Sequence, residues 1–276
     1  MSVLLQARDT QNESVLILTM NRPEAMNSFN VEICMAMIDA IKVADADPNV
    51  RVIVVTGAGR AFCAGADISQ GFNSVETEIT DAATGITRDW GGVLNLTIFE
   101  CDTPIIAAIN GAAVGIGATM TIPMDMRVAS KKSKFGFPFA RRGIVCDGAA
   151  SWFLPRLVGF ARAQEWLLTA RIIMADEMLA AGFVTEIHEP EDVLPRALEV
   201  ARDIAVNCSP TSVANNKRLL RASMLAHGTL ETGPYQSHIA ESDMLNKAFI
   251  SPDCKEGVEA FLEKRTPKFA NAEICK

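Results

Sequence analysis

Val52-Ile53-Val54-Val55-Thr56-Gly57-Ala58-Gly59-Arg60-Ala61-Phe62-Cys63-Ala64-Gly65-Ala66-Asp67-Ile68 decides how the rest of the chain is read. Val52 to Thr56 is an apolar run that suits a strand buried on both faces. The small residues that follow, from Gly59 to Ile68, let a backbone approach a ligand closely and leave amides uncovered. The arrangement then recurs. Pro104 to Ile109 reads as a strand, and Asn110-Gly111-Ala112-Ala113-Val114-Gly115-Ile116-Gly117-Ala118 is a second Gly-rich turn that opens a helical run. Donors from two such turns, aimed at one oxygen, form an oxyanion hole. Tight packing with ordinary capping is the other use of such turns.

Working outward, Val15 to Met20 reads as a buried strand stopped at Asn21-Arg22-Pro23, where proline removes a donor. Asn30 is placed to cap a helix with Ile33, Met37, Ile41 and Ala44 on one face. Ser69 to Arg88 reads as a polar, exposed loop leading into a helix from Trp90 to Phe99. A helical run from Gly115 to Ile122, an extended Met126 to Ala129, helices over 149–157 and 161–169, a short helix from Asp176 stopped by Gly182, and a strand from Phe183 to Ile187 follow. Beyond Leu194 the pattern is helical, broken at Pro210, Gly228, Gly233 and Pro252. Alternating strands and helices followed by helices predict an α/β core over 1–208 and a helical region over 209–276.

Composition narrows the function. Of the 276 residues, 49% are hydrophobic and 21% charged, which excludes a disordered chain. A net charge of −7 gives no footprint for nucleic acid. The uncharged stretch Thr103 to Met124 contains Asn110, several glycines and Pro123, so no membrane span is expected there. The seven cysteines are odd in number and widely spaced, with no Cys-x-x-Cys pair, and the N-terminus has no basic start before an apolar core. A cytoplasmic location follows as the expectation.

Several chemistries fail on their spacing. Gly57-Ala58-Gly59 and Gly115-Ile116-Gly117 carry Phe62 and Met120 where a dinucleotide fingerprint needs a third glycine. No phosphate-binding loop and no Gly-x-Ser-x-Gly elbow is present. His188-Glu189 lacks the second histidine of a zinc protease. No metal site and no separate cofactor are expected.

Phe62-Cys63-Ala64-Gly65-Ala66-Asp67, Ala108-Ile109-Asn110-Gly111, Phe135-Gly136, Gly143-Ile144 and the C-terminal Phe261-Leu262-Glu263-Lys264-Arg265 together resemble the crotonase, or enoyl-CoA hydratase/isomerase, superfamily. The resemblance runs in order along nearly the whole chain. It implies a spiral of ββα units with a C-terminal helical trimerisation region, assembled as a homo-trimer or a dimer of trimers. It implies an acyl-CoA thioester substrate whose enolate is stabilised by an oxyanion hole, with coenzyme A present only as part of the substrate. The backbone N–H groups of Ala66 and Ile116 would be the oxyanion donors. The Ala64 carbonyl would face adenine, and Phe261 and Lys264 would contact coenzyme A. On its own, Lys264 is an ordinary solvated charge at a helix end.

The family's hydratases use a pair of glutamates, and here their positions hold Thr119 and Phe139, which take up no proton near neutral pH. The nearby acid is Asp147, at the position where dienoyl-CoA isomerases and 4-chlorobenzoyl-CoA dehalogenase carry an aspartate. The dehalogenase also needs a histidine that Trp90-Gly91-Gly92-Val93 does not supply. Asp147 also suits a plain helix cap before Ala149. Packing beside Phe139 would raise its pKa and make it a usable base. The reading is double-bond isomerisation with Asp147 as acid/base. Hydration with Asp147 activating water, and a non-catalytic acyl-CoA-binding relative, stand as alternatives. Phe137, Phe139, Trp152 and Thr119, with the Ser69 to Arg88 loop, are expected to shape the acyl pocket. Asp67 is expected to be a turn or cap residue.

Overall fold

The computed structural model describes residues 2–67, 79–225, 239, 243, 245–249 and 251–270. In chain order the first half holds β1 (Leu4–Arg8), β2 (Val15–Met20), α1 (Val31–Ala46), β3 (Val52–Gly57), β4 (Ala61–Cys63), β5 (Ile79–Thr80), β6 (Thr87–Arg88), α2 (Trp90–Glu100), β7 (Ile105–Ile109), β8 (Ala112–Val114) and α3 (Ile116–Thr119). The second half holds β9 (Met126–Ser130), β10 (Lys134–Gly136), α4 (Ala150–Val158), α5 (Phe160–Thr169), β11 (Ile172–Met174), α6 (Ala175–Ala180), β12 (Glu186–His188), α7 (Val193–Asn207), α8 (Pro210–Leu225) and α9 (Pro252–Glu263).

The apolar runs become the middle of a six-stranded sheet ordered β1-β2-β3-β7-β9-β12. β1 pairs antiparallel with β2, and the remaining neighbours pair parallel. Every residue of β3 and β7 is buried. Both faces are covered, which is why these strands read as continuous hydrophobic runs rather than alternating ones. Ile53, Val55, Ile105 and Ala107 face the main core with Ile33, Met37 and Ile41 of α1. Val52, Val54, Ile106 and Ala108 face Val193, Ala197, Ala201 and Ala205 of α7. The four-residue spacing of the α7 residues keeps them on one helix face, and the three alanines allow close approach to the sheet. The Asn30 side chain caps α1 by accepting from the Ile33 N–H at 2.9 Å.

A second sheet, ordered β11-β10-β8-β4, is built from three-residue strands. Each long strand β3, β7 and β9 hands the chain to a short strand β4, β8 or β10, and a helix follows, in the first unit only after the β5–β6 hairpin. That ββα repetition is the architecture expected above. The short strands depart from the sequence reading, which left 61–63 and 112–114 inside turns. Three residues contain too little periodicity to register, and their strand identity comes from pairing with one another. The helix expected from Gly115 to Ile122 is confined to Ile116–Thr119, and the strand expected from Phe183 sits at Glu186–His188. Of the Ser69 to Arg88 loop, 69–78 lies outside the described residues, and 79–88 forms the β5–β6 hairpin.

Arg127 ties the turn after α3 to the rest of the core. It is 5% exposed, and its guanidinium donates to the carbonyls of Phe183 (2.5 Å), Thr121 (3.1 Å), Ile122 (3.3 Å) and Met124 (2.5 Å). Burial holds its pKa down, at about 10, while its guanidinium supplies donors to carbonyls of residues buried with it. Arg127→Met is expected to leave those carbonyls unpaired and cost about 3–5 kcal/mol in urea unfolding. Among the described residues, no helix is long and apolar enough to cross a membrane.

Candidate active site

The two Gly-rich turns meet backbone to backbone. β4 and β8 pair in parallel, and a Cβ placed on Gly117 would overlap the Cys63 carbonyl oxygen. Gly65 has φ +108°, and a Cβ there would stand 3.1 Å from the Val114 carbonyl oxygen. A Cβ on Gly115 would be 3.8 Å from the Gly65 Cα. The residues immediately before Ala66 and Ile116, Gly65 and Gly115, therefore lie close to one another.

Neighbouring amides in these turns are spent on the fold. Gly115 N–H donates to Gly136 O at 2.9 Å, Phe29 N–H to Gly65 O at 2.8 Å, and Asp67 N–H to Phe29 O at 2.8 Å. The N–H groups of Ala66 and Ile116 donate to no peptide carbonyl among the described residues. Ile116 is the first residue of α3, and its cap residue Gly115 offers no side chain, so this amide has no partner within the helix. Asp67 forms an ion pair with Arg22 at 3.0 Å, as suits a turn residue.

Asp147 lies at the same place. Its Oδ1 accepts a hydrogen bond from the Thr119 hydroxyl at 2.7 Å, at the end of α3. It is not a helix cap: α4 begins at Ala150, its cap position is Ala149, and no side chain caps it. The chain turns through left-handed Gly148 (φ +63°) and Ala149 (φ +54°) directly after Asp147. The alanine in that region is a strained choice, held by its surroundings. Asn95 of α2, fully buried, pins this turn by donating to Gly148 O at 2.7 Å and to Thr119 O at 3.0 Å. Burial pushes the Asp147 carboxyl up to about 6, the Thr119 hydroxyl pulls it down, and the charge of Asp89 pushes it up. Desolvation is therefore the leading cause of the rise, and the second carboxylate adds to it.

Asp89 is the functional candidate that sequence reasoning missed. It caps α2, with its Oδ1 accepting from Gly92 N–H at 2.6 Å and from Gly148 N–H at 3.2 Å. Nothing local in the sequence distinguishes it from any other capping aspartate, because its partner at Gly148 is remote in the chain.

The expected acyl-pocket residues divide. Phe137 is fully buried, stacked on Trp166 at 6.1 Å and edge-on to Phe183 at 6.3 Å. Thr119 is also without accessible surface. Phe137 packs against Trp166 and Phe183, and the Thr119 hydroxyl is engaged with Asp147. Phe139 is 6% exposed. Trp152 is half-buried, edge-on to Phe99 and Phe153 and beneath the Arg156 guanidinium at 4.0 Å. Ala64 is half-buried beside the first turn, with its N–H on Met26 O at 3.1 Å. Phe261 and Lys264 are exposed at the end of α9. The bonds that seat this segment run from the Ser209 hydroxyl to the Asp253 carboxylate and from the Arg51 guanidinium to Phe269 O, and none joins Phe261 or Lys264 to either turn among the described residues. No group of His, Cys, Asp or Glu among those residues is arranged to hold a metal ion.

Thr119→Val removes the side-chain hydrogen bond that favours the ionised Asp147. The other titratable groups that share its surroundings are Asp89, Cys63 and Cys146. The ionisation near pH 6 in the pH–rate profile is expected to move to higher pH, because the carboxylate loses a donor while its burial is unchanged.

Residues 10–272 match the family model described as enoyl-CoA hydratase/isomerase. The enoyl-CoA hydratase ACTT3 of Alternaria alternata is 41% identical over 259 residues, covering 93% of this chain and 83% of its own. The 1,2-epoxyphenylacetyl-CoA isomerase of Escherichia coli (strain K12) is 31% identical over 258 residues, covering 93% of this chain and 95% of its own. Among solved structures, that of a probable enoyl-CoA hydratase/isomerase from Mycobacterium abscessus superposes with a TM-score of 0.85 at 34% identity, covering 98% of this chain and 100% of that one.

Proposed function

This chain belongs to the enoyl-CoA hydratase/isomerase family, with its crotonase fold and its enzymatic character, and on that premise we propose that it moves a double bond along an acyl-CoA thioester. The thioester oxygen sits between the N–H groups of Ala66 and Ile116. Their donors stabilise the negative oxygen that develops as a neighbouring carbon loses its proton, and each is worth about 3 kcal/mol. In the simplest form Asp147 takes a proton from one carbon and returns one to another, so the double bond shifts and the enzyme is unchanged. The observation that carries this reading is the bond between Thr119 and Asp147. It sets one carboxyl, pushed up to about 6, at the end of the helix that begins with the second donor. The family's usual glutamate positions hold Thr119 and Phe139.

Hydration, with Asp147 activating water, is the second reading, favoured by the hydratase named at 41% identity. Coenzyme A contacts by Ala64, Phe261 and Lys264, and trimer formation through 209–276, belong to the same proposal. Proton NMR of the purified chain with 3-enoyl-, 2-enoyl- and dienoyl-CoA thioesters separates the cases. A shifted double bond supports isomerisation, and a 3-hydroxyacyl product replaces it with hydration. Binding of every thioester with no turnover of any overturns both.

A further inference from the structure

Asp89 has more chemistry than a helix cap uses. Its Oδ1 alone accepts from Gly92 and Gly148, and Oδ2 has no hydrogen-bond partner among the described residues. Asparagine caps a helix as well as aspartate does, so the capping role alone needs no charge. That charge nevertheless stands beside Asp147, where like charges oppose each other.

The location is shared with the oxyanion turn. A Cβ on Gly91 would come within 2.6 Å of Ile116 Cδ1, so the first turn of α2 rests on the side chain of the second donor residue. Gly91 and Gly92 set no side chain beside the Asp89 carboxylate. Asn95, one turn further along α2, is fully buried between Thr119 and Gly148 with its Oδ1 unpartnered. Three elements that carry the candidate chemistry thus converge on the start of α2: the Ile116 turn, the Thr119 end of α3, and the Asp147–Gly148 turn.

We infer that Asp89 is the second proton-transfer carboxylate of this site, dividing the isomerisation with Asp147. This rests on the reading of the chain as an acyl-CoA isomerase. For a 3-enoyl thioester the exposed Asp89 carboxylate takes a proton from Cα. The C–H electron pair passes to the thioester oxygen, held by Ala66 and Ile116, giving a dienolate. The Asp147 carboxylic acid then gives its proton to Cγ, the oxygen electron pair returns, and the double bond lies between Cα and Cβ. Asp89 ends protonated and Asp147 ionised, and exchange with water through the exposed Asp89 edge resets both. The pairing follows the general rule that groups in unlike environments, one exposed and one buried, divide the acid and base roles.

Asp89→Asn tests this without disturbing the cap, because the amide oxygen still accepts from Gly92 and Gly148. The expected result is a fall in kcat of about 100-fold or more on 3-enoyl-CoA with an unchanged Tm. Asp89→Ser, a second capping variant, is expected to fall equally. In deuterium oxide, wild-type product is expected to carry solvent deuterium at Cγ, because the proton delivered is not the one removed. A kcat within about twofold of wild type for both variants, or proton transfer from Cα to Cγ without solvent label, overturns the role of Asp89 while leaving a single-carboxylate isomerase intact. A wild-type chain that shifts no double bond removes the isomerase reading itself, and the division of roles with it.

Discussion

Asp147→Asn is expected to lower kcat by about 10³-fold on any thioester the wild-type enzyme turns over, with Kd for the thioester nearly unchanged. Asparagine preserves the volume and can still accept from the Thr119 hydroxyl, so the turn held by Asn95 persists. What it loses is the proton. The same variant has an opposite effect on stability. In the folded chain Asp147 titrates at about 6, above its ordinary 3.8. Wild-type stability therefore holds below about pH 4 and declines as pH rises through about 6, because the folded chain retains a proton that the unfolded chain has released. The difference amounts to about 3 kcal/mol above pH 7. Asp147→Asn is expected to be more stable than wild type by roughly that amount at pH 8 and equally stable at pH 4, measured by urea unfolding. Equal rates for the two proteins would remove Asp147 from the chemistry. Equal stability at pH 8 would show that burial leaves its ionisation undisturbed.

Gly117→Ala is expected to damage both fold and catalysis. The added methyl meets the Cys63 carbonyl oxygen and approaches Cys63 Cβ within 2.9 Å, and the first of these belongs to the backbone of β4. No rotamer change relieves it, so α3 and β4 must separate. Overpacking of this kind costs about 1–3 kcal/mol. The catalytic effect is larger in proportion, because the two proposed oxyanion donors sit at the start of α3 and in the turn that follows β4. Loss of their convergence is expected to reduce kcat by about 10²- to 10³-fold. The paired measurement is Tm and kcat. A variant that keeps its rate would show that Ala66 and Ile116 do not act on one oxygen.

Long elements were legible because their patterns are local. β2, α1, β3, α2 and β7 fall where apolar runs, the Asn30 cap and the Pro and Gly breaks place them. The small sheet was not legible. Ala112-Ala113-Val114 and Lys134-Phe135-Gly136 are strands only because each lies beside another short strand. The site divides in the same way. Ala66 and Ile116 stood out through the Gly-rich turns and the family resemblance, and Asp147 through the glutamates missing at Thr119 and Phe139. The full burial of Phe137 against Trp166 and Phe183 was not legible, because an aromatic carries no mark in the sequence of how much of its ring is covered.

By itself the amino-acid order determined the alternation of strands and helices and the two turns of small residues, and the family resemblance added Asp147 as the candidate acid. Those features depend on side-chain type and on spacings within a single element. Tertiary structure decided which amides stay unbonded, that Asp147 meets Thr119 rather than capping α4, and that Asp89 arrives beside it through Gly148. The reason is physical: a hydrogen bond or a charge interaction depends on distance in space, and α2, α3 and the turn before α4 are brought together only when the two sheets close on a shared core.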